Sequence, residues 1–180
     1  MAELVKDFPE WFKMVIVIIP IISLFVAAGA FILNLRQTIL NNRVNRSKII
    51  SDTLHAFMDD ETIQTAFYKI EYGKFEYSTS FHGSAEEKEI DKLLRHYSNL
   101  AMMWKNGLLT LNDIYPIQYY VMRITQNSEV TKYFEFMEQW TQTAKIKSHP
   151  FLALSELGKK LEKNTMHTKC YELMGFYRSG

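Results

Sequence analysis

Met14 to Leu33 is a run of twenty residues without a charged side chain, and it constrains this chain more than anything else in it. At 1.5 Å of rise per residue, a helix of that length matches a hydrocarbon core of about 30 Å. A buried strand would be far shorter, and a soluble core helix would keep a polar face. A cleaved signal peptide is the main rival. Its apolar region is normally shorter and ends in a small-x-small site. Ala28-Gly29-Ala30 offers such a site, but Phe31-Ile32-Leu33 carries the apolar run past it. An uncleaved transmembrane anchor is therefore expected. Pro20 falls in its first third, where it would free a carbonyl and bend the helix. Ala27, Ala28, Gly29 and Ala30 form a belt of small residues. Ordinary membrane-helix composition and a helix–helix interface explain that belt equally well.

The flanks set an expected orientation. Lys6 and Lys13 precede the span, offset by Glu3, Asp7 and Glu10. Arg36, Arg43, Arg46 and Lys48 follow it, with no acid before Asp52. Excess Lys and Arg mark the cytoplasmic side. The reading is a short external N-terminus at residues 1–13, a transmembrane helix at 14–33 and a cytoplasmic domain at 34–180, in a bacterial inner membrane. Trp11 and Phe12 would lie in the outer interfacial belt. The lone Cys170 excludes an intramolecular disulfide and suits a reducing compartment. Lys+Arg 21 against Asp+Glu 20 leaves a net charge of +1, so no global field advertises an acidic partner.

Neither Pro nor Gly occurs from Asn34 to Met58, so the membrane helix is expected to run on into the cytoplasm. Asn34, Gln37, Asn41, Asn45, Lys48 and Asp52 fall on one side of such a helix. Apolar Leu40, Val44, Ile50, Leu54, Phe57 and Met58 occupy other faces. Arg36, Arg43 and Arg46 are read as lying beside the polar stripe. Two readings of the stripe stand together. It is a solvated face whose basic residues serve topology and anionic headgroups. Alternatively, Asn34, Gln37, Asn41, Asn45 and Lys48 line a pore, which requires several copies around an axis because one helix encloses nothing.

Beyond the stalk the pattern is helical. Ile90, Leu93, Leu94, Tyr97, Leu100, Ala101 and Trp104 repeat at helical spacing within Glu86–Asn106, and Gly107 offers a stop. Thr110 to Asp113 resembles a capping pattern leading into a helix at Leu111–Thr125. Ser128 or Asn127 caps Glu129–Lys145, whose Val130, Tyr133, Phe134, Met137, Trp140 and Thr141 share a face. Pro150 suits the first turn of a helix ending near Lys163, and a short helix is expected at Thr168–Tyr177. Tyr72–Ser84, with Gly73 and Gly83, reads as loop. The fold class is thus all-α, one transmembrane helix continuing into a cytoplasmic helical bundle, compatible with a HEPN-like shape.

A search for chemistry returns little. His55, His82, His96, His149 and His167 make no H-E-x-x-H, no i,i+4 pair and no Cys/His cluster. Phosphate-cradling glycine motifs and the G-x-S-x-G elbow are absent as well. Arg95-His96 is the most suggestive pair, yet on a packed helix it is more often surface than catalytic. HEPN-type ribonucleases carry an Arg, then four to six intervening residues, then a His, and no His here has an Arg at that distance. Lys145, Lys147, Lys159, Lys160, Lys163 and Lys169 make the C-terminal part basic, with Glu156 and Glu162 interspersed. A solvated face is the better reading there than an RNA-contact surface. No catalytic residue, metal ligand or cofactor site is expected.

Two blocks carry a resemblance. The first is Asn34-Leu-Arg36-Gln-Thr-Ile-Leu-Asn-Asn-Arg43-Val-Asn-Arg46 behind the anchor. The second is Glu89-Ile-Asp-Lys-Leu-Leu-Arg-His-Tyr97-Ser-Asn-Leu-Ala-Met-Met-Trp104-Lys-Asn-Gly107-Leu-Leu, followed by Asp113 and a Tyr/Trp-rich helix pair. In layout and texture the chain resembles a wide family of single-span bacterial helical proteins, and within it the small membrane accessory proteins of type VI-B CRISPR systems. That resemblance implies a homo-oligomeric pore of about eight subunits that depolarises the membrane and strengthens antiviral defence. It also implies a functional link to an RNA-guided ribonuclease; direct RNA binding is not expected. It supplies no pore residue by motif. A membrane-tethered adaptor recruiting a cytosolic protein or RNA is the alternative, and a HEPN-type ribonuclease is the weakest of the three.

Overall fold

The structure, a computed structural model, describes residues 9–176. The side chains of Glu3, Lys6, Asp7, Glu10, Trp11, Phe12 and Lys13 at one end, and of His167, Lys169 and Cys170 at the other, lie outside the described residues. Seven α-helices and two 3₁₀ turns occur among the described residues, and no strand. The chain divides into two units, Met1–Asn45 and Arg46–Gly180.

Helix α1 spans Glu10–Asp59 and contains Pro20. Its part in the first unit has no core: wherever side chains are described as far as Asn45, they are exposed. Ser23 donates from Oγ to the Ile19 carbonyl (2.8 Å) and Thr38 from Oγ1 to that of Asn34 (2.9 Å). Both hydroxyls are thereby satisfied within the helix, as they must be wherever water is absent.

The second unit is a helical bundle with a continuous core. From Arg46 onward α1 turns apolar residues inward, burying Ile50 and Phe57. It ends because Asp60 leaves the helical region (φ −108°, ψ 99°) and caps α2, Glu61–Glu71, accepting the Ile63 N–H. The loop 72–84 carries a 3₁₀ turn at Thr79–Phe81 and buries Phe75 and Phe81. Helix α3, Ala85–Lys105, is capped by Ser84, whose Oγ accepts the Glu87 N–H at 3.0 Å. It is the central element, packing on α2 and on α7, Leu152–Phe176. Six of its seven expected apolar positions are buried, and Trp104 is half-buried.

Gly107 (φ +75°) ends α3 in a Schellman motif: its N–H reaches the Trp104 carbonyl and that of Leu108 reaches Met103. The same closure follows α2 at Gly73 (φ +65°). The expected Leu111–Thr125 helix is in fact broken. A four-residue α4, Leu111–Ile114, passes through a 3₁₀ turn at Tyr115–Ile117 into α5, Gln118–Thr125. Pro116 sits in that turn and has no N–H to continue an α-helical ladder. Asn127, rather than Ser128, caps α6, Ser128–Thr143, accepting both the Glu129 and Val130 N–H groups. Pro150 precedes α7 instead of opening it, and one helix covers the stretch expected to hold two. At the contact of α5 and α7, Gly158 lies so near the Thr125 side chain that a Cβ there would overlap it.

Candidate functional site

The polar stripe lies wholly at the surface. Asn34, Gln37, Asn41 and Asn45 are all exposed, and Gln37 donates from Nε2 to Asn41 Oδ1 at 3.3 Å. At 100° per residue these four span an arc of about 80°. Around them Leu33, Leu35, Ile39, Leu40 and Val44 are exposed as well. This part of α1 thus shows a band of amides set in an apolar cylinder, both exposed among the described residues.

The arginines do not share that band. On the same rotation, Arg36 and Arg43 lie about 180–200° round the helix from Asn34, on its opposite side. The expectation that they flank the stripe is therefore corrected by helix geometry. Arg46 departs too, for a different reason. It belongs to the second unit and forms an ion pair there with Asp113 (3.6 Å). Lys48, the last candidate, is exposed in that unit.

Asp113 is a junction with several partners. Thr110 and Asp113 form a reciprocal capping box at the start of α4: Thr110 donates its N–H and Oγ1–H to Asp113 Oδ2, both at 2.7 Å. Burial pushes the Asp113 carboxyl up, but the Thr110 bonds and the Arg46 charge outweigh it and hold it below its ordinary value. A second tie to α1 comes from His96, whose Nε2 donates to the Thr53 carbonyl at 3.1 Å. Burial pulls His96 below its ordinary value, against the Thr53 bond and the Asp60 charge. Its neighbour Arg95 is 70% exposed and pairs with Asp91. The Arg95-His96 pair thus diverges onto different partners.

One polar chain lay beyond sequence reasoning. His82 bonds through Nδ1 to Glu87 Oε1 and through Nε2 to the Tyr77 hydroxyl, both at 2.9 Å. Beside it Tyr133 donates to Asp91 Oδ1 at 2.8 Å. Burial raises the Glu87 carboxyl, yet the Gly83 N–H and His82 win and keep it low. Burial together with the Glu87 charge raises the Tyr77 phenol. With the Tyr77 N–H donated to Glu129 on α6, the chain clasps loop 72–84 onto α3 and α6. Among the described residues no group of three or more His, Cys, Asp or Glu could hold a metal ion. Comparison with protein-family models, with curated proteins and with solved structures finds no match to this chain.

Proposed function

We propose that α1 anchors this protein in a bacterial inner membrane, N-terminus outside and residues 34–180 in the cytoplasm. Several copies then assemble around the Asn34–Gln37–Asn41–Asn45 stripe as a pore that depolarises the membrane. The band of exposed amides within an exposed apolar helix carries this reading. Large apolar side chains such as Leu24, Phe25 and Phe31 favour lipid over water. Amides in lipid without partners are costly, on the order of several kcal/mol each. Gathering the stripes around a water-filled axis removes that cost and leaves the apolar faces to lipid. Arg36 and Arg43, on the far side, would meet anionic headgroups. The place of such a pore in antiviral defence beside a type VI-B ribonuclease rests on the sequence resemblance alone.

A second reading, a membrane-tethered adaptor, is favoured by one surface of the helical bundle. Tyr68 and Tyr72 stack there with centroids 5.8 Å apart and planes 11° apart, both exposed, and Tyr119 is exposed beside Phe67. Exposed tyrosines of this kind are common at protein interfaces.

The double substitution Asn41→Leu with Asn45→Leu separates the two. Potential-sensitive dye in cells making the protein should report depolarisation by the natural chain and none by the variant, at equal membrane content. Undiminished depolarisation would remove these amides from the pore. An adaptor would tolerate both changes and would run as a monomer or dimer in detergent by mass photometry.

A further inference from the structure

Helices α3 and α6 and the loop 72–84 leave between them a cavity of about 360 Å³. Its walls are mainly aromatic. Helix α6 lines it with Phe136, Met137 and Trp140, and Tyr133 closes it from below, itself buried. The His82 ring completes that wall, 4.2 Å from Phe136 between centroids and tilted by 32°. Trp140, the largest of these side chains, is 50% exposed. The only other lining residues described are two carboxylates of α3, Glu87 and Asp91, and no Lys or Arg is among them.

These carboxylates lend the cavity charge without lending it open acceptors. Glu87 Oε1 meets His82 Nδ1 at 2.9 Å, and Oε2 takes the Gly83 N–H at 2.6 Å. Asp91 Oδ1 takes the Tyr133 hydroxyl at 2.8 Å, and Oδ2 stands 3.5 Å from the Arg95 guanidinium. Each of the four oxygens thus already has a partner. Arg95 is 70% exposed, so water screens its charge. A primary ammonium brings three N–H donors and would find these acceptors taken. A quaternary ammonium brings none. It needs only a negative potential and aromatic surface, which is what this cavity presents.

We propose that this cavity binds a small, free quaternary ammonium compound of the size of choline. Its methylated nitrogen lies against Trp140 and Phe136, in the field of Glu87 and Asp91. The site belongs entirely to the helical bundle, so it stands or falls independently of the pore.

The test is calorimetric titration of the full chain in maltoside micelles at neutral pH with choline, ethanolamine and the neutral tert-butyl analogue of choline. Choline should bind saturably, and the other two at least about tenfold more weakly. Trp140→Ala, at a half-exposed position outside the core, should weaken choline by about tenfold. Trp140→Phe keeps an aromatic wall and should recover most of that loss. Asp91→Asn still accepts from the Tyr133 hydroxyl, and should weaken choline about threefold or more while leaving the neutral analogue unchanged. Glycerophosphocholine should bind more weakly than choline, because its phosphate would come near the carboxylates. Equal affinity for it would make a lipid headgroup the ligand and overturn the assignment to a free cation. The proposal as a whole is overturned by the absence of saturable choline binding, by ethanolamine or the neutral analogue binding as tightly as choline, or by binding indifferent to Trp140→Ala.

Discussion

Leu24 and Phe25 in the first unit are 69% and 73% exposed, while Leu93 and Leu94 in the second are wholly buried. The two regions use the same kinds of residue to opposite ends. In the bundle, α3 finds α2 on one flank and α7 on another, and apolar area leaves water when the chain folds. As far as Asn45, the described side chains of α1 are exposed, its large apolar ones included. Such a surface is stable only where something other than water meets it. The bundle therefore encloses its own apolar surface, whereas α1 as far as Asn45 leaves its own exposed.

The comparison breaks most visibly if one truncation is made in both places. Leu94→Ala should lower the unfolding free energy of the bundle by about 2–5 kcal/mol, the usual range for an enclosed leucine. Leu33→Ala removes the same atoms where no protein surrounds them, and should leave the bundle's denaturation midpoint unchanged in detergent. Chemical denaturation followed by tryptophan fluorescence measures both. A large effect of Leu33→Ala would mean that α1 as far as Asn45 is packed against protein after all.

The glycines sharpen the contrast on a smaller scale. A Cβ at Gly158 would run into Thr125, so Gly158→Ala should cost about 1–3 kcal/mol as α5 and α7 are pushed apart. Gly29 has nothing near its Cβ position, and Gly29→Ala should leave bundle stability untouched. If the small-residue belt is a helix–helix interface, the same Gly29→Ala change should instead shift the oligomer distribution in mass photometry. Stability of one region and assembly of the other are thus read from one pair of variants.

How far these features were legible from residues alone differs in the same way between the two units. Helix α3 was plain, because seven apolar positions kept one period and Ser84 and Gly107 bracketed them. Helix α2 was not read, although Asp60 is a good cap for it, since no proline or glycine marks the break before it. Pro116 was visible, but its effect was overlooked: the capping box at Thr110 suggested one helix where the chain needed a 3₁₀ turn between two. On α1 the stripe followed from spacing, and the same arithmetic places Arg36 and Arg43 opposite it. The partner of Arg46 could not be read, because Asp113 is remote in sequence and tertiary packing alone brings it near.

The smallest effect tests whether the bundle's local rules are as strict as its core. Helix α6 was expected to reach Lys145 but stops at Thr143, and Lys145 turns into the left-handed region at φ +56°. There it closes a Schellman motif of the kind glycine closes after α2 and α3: its N–H reaches the Gln142 carbonyl and that of Ile146 reaches Thr141. A side chain in that conformation is strained by about 1–2 kcal/mol, whereas glycine adopts it freely. Glycine also gives the unfolded chain more freedom, which offsets part of the gain. Lys145→Gly should therefore stabilise the bundle by about 0.5–1 kcal/mol, read as a higher denaturation midpoint at unchanged slope. Gly107→Ala, at an equivalent turn, should move it the other way by a similar amount. If both variants lowered the midpoint, the Lys145 side chain would be contributing an interaction worth more than its strain, and the turn after α6 would be held by that contact rather than by its backbone.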